Sequence, residues 1–271
     1  MTDRIDPMAA LHYEITGNRS AARMVVFVHG FLGSIEDWRP VMERLVPECC
    51  CVGVDLPGHG KSTGLNQGAY GFEAAAGCVA EVIKEVGALP VALVGYSMGA
   101  RIALYLGVRS GHVCNRLVVE SAGAGIRDPQ ERTKRRAQDE AWARKLERGR
   151  FEDFLRTWYR QPIFEDLSQD AHRLEQVISQ RSANDPRELA RAMRGMSVAR
   201  QPDLWGHLGG VKKPVLCIAG GKDGHYMRIV RQMAALMPNA RVCVVPEAGH
   251  NVHLEQPDTV AESIRAFVLE E

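Results

Sequence analysis

Six short apolar runs punctuate an otherwise mixed chain: Met24 to Val28, Cys51 to Val54, Val91 to Val94, Cys114 to Glu120, Pro214 to Gly220 and Ala240 to Val245. They are too short for helices and predict strands, and the unbroken apolar runs Met24 to Val28 and Val91 to Val94 predict strands covered on both faces. Leu11 to Ile15 does alternate and predicts an edge strand, closed by a turn at Gly17-Asn18. Between the runs, apolar residues return every three or four positions in Gly71 to Val86, which predicts a helix. Ile35 to Leu45 predicts a helix or a broken helix, Ala100 to Leu106 is helix-prone, and Pro257 to Leu269 predicts the last helix.

Strands alternating with helices imply an α/β fold with a mainly parallel sheet flanked by helices. From Ile126 to about Pro202 the pattern changes, with no buried-strand run and only polar, arginine-rich helical segments. The expected organisation is therefore a core from 1–125 and 203–271, with a helical lid inserted at 126–202 over the strand ends. No internal repeat or low-complexity tract interrupts it.

Composition narrows the partners. The 271 residues are 45% hydrophobic and 25% charged with a net charge of +1, which gives no reason to expect nucleic acid or a membrane surface as partner. The seven cysteines include Cys49-Cys50-Cys51, and several lie in strand-like runs; an odd number so placed reads as small buried hydrophobes in a reducing compartment. No C-x-x-C pair occurs, so no metal site is expected. The N-terminal stretch has no apolar leader region, and no apolar run approaches spanning length, so the expected location is cytoplasmic.

The chemistry centres on Gly95-Tyr96-Ser97-Met98-Gly99, a G-x-S-x-G between a strand and a helix. That context makes it a nucleophile elbow, in which Ser97 takes strained backbone angles and flanking glycines remove side chains that would collide. The helix starting at the serine turns its positive end toward the site. Upstream, His29-Gly30-Phe31 follows a strand, where the Phe31 N–H, with that of Met98, is placed to hold an oxyanion.

Two later strands end near an acid and a base, Asp223 in Gly-Lys-Asp and His250 in Glu-Ala-Gly-His. In an open α/β sheet the loops at the carboxyl ends of strands converge on the site. Ser97, Asp223 and His250 thus stand in the order serine, acid, histidine. His250 would accept the Ser97 proton, and Asp223 would fix its tautomer. Asp55 and His59 read as structural, with Asp55 the competing acid and His253 the competing base.

HGFLGS, DLPGHGKS, GYSMG and AGHNVHLEQP resemble the α/β-hydrolase family along nearly the whole chain. Finer features, GYSMGAR, ESAGAGIRD, ERTKRRAQDEA, FLRTWYRQPIF and QRSAN, are similar to one branch, the 2-succinyl-6-hydroxy-2,4-cyclohexadiene-1-carboxylate (SHCHC) synthases of menaquinone biosynthesis. That resemblance implies a lyase that removes pyruvate by proton abstraction and elimination, without an acyl-enzyme or a cofactor. Its small-molecule substrate carries several carboxylates, which arginine forks suit. Arg101 lies one helical turn beyond Ser97 and so shares its site-facing side. By likeness Arg135 and Arg181 are further carboxylate clamps, and Tyr96 and Trp158 line the pocket. Arg132, Arg144, Arg148 and Arg191, interleaved with acids, read as solvated. Relatives carry a lysine two residues after the aspartate, where this chain has His225.

Two other readings stay open at this point. The triad alone equally supports a serine hydrolase acting on an ester, lactone or C–C bond, and a non-catalytic ligand sensor is a third possibility.

Overall fold

Seven strands form one sheet in the computed structural model, which describes residues 10–21, 23–46, 48–87 and 91–270. Residues 1–9, most of the stretch considered above for a leader, lie outside the described residues, as do 22, 47, 88–90 and 271, and so the two outer ends of the expected core. In chain order the strands are β1 (Tyr13–Thr16), β2 (Arg23–Val28), β3 (Cys49–Val54), β4 (Val91–Tyr96), β5 (Cys114–Glu120), β6 (Val215–Gly220) and β7 (Ala240–Val245). They lie side by side as β1-β3-β2-β4-β5-β6-β7. Only β1 runs antiparallel to its neighbour, as its alternating sequence suits an edge; the other pairings are parallel.

β3, β4 and β6 are buried along their whole length, which is what their unbroken apolar sequence requires. β3 begins two residues before the run read from sequence, and takes in Cys49 and Cys50 as buried side chains. Because β2, β4, β6 and β7 are parallel, their carboxyl ends lie along one edge of the sheet. That edge carries His29, Ser97, Gly221 and Pro246, the first residues beyond each strand.

The helices follow in the order α1 (Ile35–Leu45), α2 (Phe72–Glu85), α3 (Met98–Arg109), α4 (Pro129–Arg148), α5 (Phe151–Tyr159), α6 (Glu165–Gln169), α7 (Ala171–Arg181), α8 (Pro186–Gly195), α9 (Gly224–Leu236), α10 (Val252–Glu255) and α11 (Pro257–Leu269). The α1 segment is one continuous helix through Pro40, started by the Ser34 side chain accepting from Glu36 N–H. One face of the sheet is covered by α2, α3 and α9 and the other by α1 and α11, where Trp38, Val41, Ile264 and Phe267 fill the gap. α9 was not read from the sequence; of its apolar residues only Val230 and Met233 are fully buried.

The stretch between β5 and β6 contains α4 to α8 and no strand among its residues, as its sequence pattern predicts. Asp128 caps α4 by accepting from Gln130 and Glu131 N–H groups. Of the twenty residues of α4, only Asp139, Ala143 and Leu146 are buried. One leucine-sized side chain is worth about 1.5–3 kcal/mol, too little to hold so polar a helix alone. α4 is held by α8 and by a separate small core, in which Ala143 and Leu146 join Phe154, Leu155, Leu189 and Met193. Leu32, from the loop after β2, completes that core and joins it to the sheet. No helix among the described residues is long and apolar enough to cross a membrane.

Candidate active site

β4 ends at Tyr96, α3 begins at Met98, and Ser97 alone makes the turn, with φ 48° and ψ −106°. A positive φ costs a residue with a Cβ about 1–3 kcal/mol, so the surroundings must enforce it. Gly95 permits it: a Cβ there would lie 2.5 Å from the Gly99 carbonyl carbon, while a Cβ at Gly99 would run into the Val28 carbonyl at the end of β2. Ser97 N–H is fixed by the Glu120 carbonyl of β5 at 2.9 Å. The turn therefore holds Ser97 at the carboxyl edge of the sheet.

Asp223 follows β6 and serves two partners. Its Oδ1 accepts from Tyr226 N–H at 3.0 Å and so caps α9, while its Oδ2 accepts from His250 Nδ1 at 2.8 Å. Burial raises the Asp223 pKa, but the His250 hydrogen bond and charge outweigh it and hold the carboxyl below its usual 3.8. With Nδ1 thus engaged, Nε2 is the ring nitrogen left for chemistry. His250 is 3% exposed and lines the same cavity as Ser97. Among the described residues no hydrogen bond joins the two directly. Phe31 and Met98 also line this cavity, and neither N–H has a backbone acceptor among the described residues.

The cavity has a volume of about 140 Å³ and lies between the sheet edge and the helical insertion. Arg101 reaches into it from α3 and Arg135 from α4. Arg101 Nη1 donates to the Met196 carbonyl at 3.0 Å. Burial, with repulsion from Arg135, lowers the Arg101 pKa to about 10. Arg135 Nε donates to Asp139 at 2.8 Å, and the other Asp139 oxygen accepts from Ser197 Oγ at 2.5 Å. One carboxylate thus offsets one of two guanidiniums, and the wall keeps a surplus cation. Trp158 packs on Phe31 with ring centroids 5.2 Å apart and closes the insertion side.

A family model for the alpha/beta hydrolase family matches residues 25–263. The chain belongs to the α/β hydrolase family. Within it the chain is 32% identical to the 2-succinyl-6-hydroxy-2,4-cyclohexadiene-1-carboxylate synthase of Salmonella heidelberg, over 94% of this chain and 97% of that protein. It is also 32% identical to Protein PHYLLO, chloroplastic, of Arabidopsis thaliana, but there spans only 16% of that much longer protein. In three dimensions it is similar to MenH from S. aureus, at 28% sequence identity and a TM-score of 0.90, covering 94% of this chain and 97% of that one. The protein is thus an α/β-hydrolase-fold enzyme similar to SHCHC synthases.

Within this α/β hydrolase, Arg181 stands apart from the other two arginines proposed from the resemblance. It is 4% exposed, and its two terminal nitrogens donate to Asp37 at 2.5 and 2.9 Å while Nε donates to Tyr159 Oη at 3.2 Å. Arg181, expected as a carboxylate clamp, is ion-paired to Asp37 and lines, with Tyr96 and Ser97, a smaller cavity instead of the main one. His253, the competing base, is fully buried, bonded through Nδ1 to Glu120 at 2.8 Å and stacked on Trp38. Asp55, the competing acid, accepts from Ile35 and Lys61 N–H groups and pairs with His12, outside the main cavity. His59 is buried against His29, and Arg144, Arg148 and Arg191 are exposed. Arg132 is half-buried and donates to the Ile126 carbonyl. His225 is exposed and lies edge-on to Tyr226, whose ring packs against His250 at 4.8 Å. Sequence reasoning missed Tyr226, Trp142, Asp139 and Ser197 in the cavity wall. Tyr226, three residues after Asp223 at the start of a helix, carried a readable signal; the others depend on contacts across the fold.

Proposed function

We propose that this enzyme is an SHCHC synthase of menaquinone biosynthesis, a carbon–oxygen lyase. It eliminates pyruvate from 2-succinyl-5-enolpyruvyl-6-hydroxy-3-cyclohexene-1-carboxylate. Ser97 Oγ takes a carbon-bound proton of the substrate as its own proton passes to His250 Nε2, and Asp223 steadies the imidazolium. The electron pair left on C2 forms the C2=C3 double bond, the ring double bond shifts to C4=C5, and the C5–O bond breaks so that the enolpyruvyl group leaves as the enolate. Return of the proton from His250 gives pyruvate and restores the triad. Charge that develops on the succinyl ketone oxygen is met by the Phe31 and Met98 N–H groups.

The observation that carries this reading is the pair of guanidiniums, Arg101 and Arg135, in the wall that also holds Ser97 and His250. A substrate with several carboxylates makes use of them, and a neutral one does not. A second reading, hydrolysis of an ester, lactone or C–C bond of a carboxylated substrate, is favoured by the two free N–H groups beside Ser97, which also suit an acyl intermediate. The deciding experiment is to add the cyclohexene precursor to purified enzyme and follow pyruvate. Release at a rate proportional to enzyme supports the lyase, and a screen of p-nitrophenyl esters beside it tests the hydrolase.

A further inference from the structure

A second cavity, of about 40 Å³, adjoins Ser97 and has no part in the proton transfers above. Ser97 and Trp158 belong to its wall and to that of the main cavity. Tyr96, Tyr159, Arg181 and Asn251 make up its polar side. About 10–15 Å³ of such space is enough to hold one water, so there is room for a small polar group or a few waters.

Asn251 is 3% exposed and its backbone is fully engaged. Its N–H donates to Glu255 Oε1 at 3.2 Å, and its carbonyl accepts from Leu254 and Glu255 N–H groups at 3.0 and 2.9 Å. Its side-chain Oδ1, by contrast, is buried with no partner among the described residues. An orphaned buried acceptor costs about 1–3 kcal/mol, and such a group facing a cavity calls for a donor from outside the chain. Across the cavity the Arg181 charge is already matched by Asp37, and Tyr159 Oη accepts from Arg181 Nε, which leaves the phenol proton free to donate. The wall therefore offers one buried acceptor without a partner, Asn251 Oδ1, together with the hydroxyls of Tyr96 and Tyr159, and no surplus charge. A carboxylate would set its lone pairs against Oδ1; a hydroxyl, which donates and accepts, satisfies both sides.

We infer that this cavity is a subsite for a hydroxyl group of the ligand, with Asn251 as the specificity-determining acceptor and a water in its place in the free enzyme. The identity of that hydroxyl, the ring 6-hydroxyl of the cyclohexene precursor, rests on the function proposed above; the subsite itself does not.

Two measurements test it. A crystal structure of the free enzyme that resolves ordered solvent should show a water bonded to Asn251, and a protein group satisfying the carboxamide instead would overturn the subsite whatever reaction is catalysed. In parallel, pyruvate release is measured for wild type, Asn251→Leu and Asn251→Asp on the precursor and on an analogue without the ring hydroxyl. Asn251→Leu should lower kcat/KM on the hydroxylated substrate about five- to hundred-fold, mainly through KM, and leave the analogue unaffected. Asn251→Asp still accepts and should retain most of the activity. Equal losses on both substrates would make Asn251 structural, and greater harm from Asp than from Leu would point to a carboxylate and overturn the assignment. If wild type releases no pyruvate, the lyase reading fails alone, and the free-enzyme structure still decides the subsite.

Discussion

Arg181 and Asp37 form a two-pronged ion pair, 2.5 and 2.9 Å, between residues 144 positions apart, one at the end of the insertion's α7 and the other in α1 beside the sheet. Both side chains are almost completely buried, 4% and 1% exposed, so neither charge has water to fall back on. Breaking such a pair from one side costs about 3–5 kcal/mol, because a buried charge is left behind. Arg181→Met should therefore lower Tm by roughly 6–20 °C in a chain of this size. Adding Asp37→Leu should recover much of the loss, because the stranded carboxylate goes too. Thermal unfolding of both variants is the check, and a single variant within about 2 °C of wild type would mean that the pair is not holding the insertion to the sheet.

This pair shows where the sequence stops being legible. The central strands were readable because a parallel sheet buries both their faces and writes that requirement into short apolar runs, while β7, at the edge, is half-exposed and was read from its position in the alternation of strands and helices. Ser97, Asp223 and His250 were readable because each follows such a run. Pairings across the fold leave no comparable mark: the Ser197–Asp139 bond joins residues 58 apart, and Asp37 looks like any acid in the first turn of a helix. Arg181 was found by resemblance, but its partner was not, and the partner changes what the arginine does. Helix α9 was missed because its start, Gly-Lys-Asp-Gly-His, reads as loop; the residue that caps it, Asp223, is also the proposed acid.

The residues of the proposed triad should give the sharpest loss of activity. Ser97→Ala should reduce turnover by about 10³- to 10⁶-fold while leaving circular dichroism unchanged, as for removal of one member of a cooperative catalytic unit. Asp223→Asn should come close to it, since Asn fits the same space but lets His250 take the wrong tautomer. Asp55→Asn should act on stability, because Asp55 holds two backbone N–H groups and His12 instead of the catalytic histidine. More than a tenth of wild-type turnover in Ser97→Ala would remove Ser97 from the chemistry.

Acid should weaken the fold through two buried histidines beside the oxyanion loop. Burial lowers the pKa of His29, against an opposing pull from Asp55, and lowers that of His59 well below its ordinary 6.5. Above 6.5 both are neutral folded or unfolded and contribute nothing to the slope. Below it the unfolded chain binds protons that the folded chain refuses, so stability falls as pH falls, by up to about 1.4 kcal/mol per pH unit for each histidine. Asp223 adds its own loss only around and below 3.8, when it is protonated and its contribution disappears. Denaturant midpoints between pH 7.5 and 5 should fall, and the fall should be shallower in His59→Leu. A flat wild-type profile would place both histidines within reach of solvent.

Carbon-acid chemistry and acyl transfer differ in what they leave on Ser97. If the serine oxygen takes a proton from carbon, enzyme quenched during turnover of the precursor should have its unmodified mass, and pyruvate should appear without a burst. A stable adduct on Ser97 from the same substrate would shift the assignment to the hydrolase reading.

Arg101 separates a carboxylated substrate from the neutral one of a generic esterase most directly. It stands one helical turn beyond Ser97, in the cavity wall, where burial and then Arg135 lower its pKa to about 10 and leave it a cation at neutral pH. A charge-assisted hydrogen bond to a carboxylate is worth about 1.5–3 kcal/mol. Arg101→Met should therefore cost about ten- to two-hundred-fold in kcat/KM on the carboxylated precursor, at 1.4 kcal/mol per decade. Arg101→Lys should restore only part, because an ammonium keeps the charge and loses the fork. Any activity toward a small neutral ester should barely change, since that substrate has nothing for the guanidinium to bind. Both reactions are measured on the same purified variants with circular dichroism as the folding control. Equal losses on the two substrates would make the Arg101–Met196 bond, which ties α3 to the insertion, the whole of its role. The case for an anionic substrate would then rest on Arg135, whose charge Asp139 already offsets.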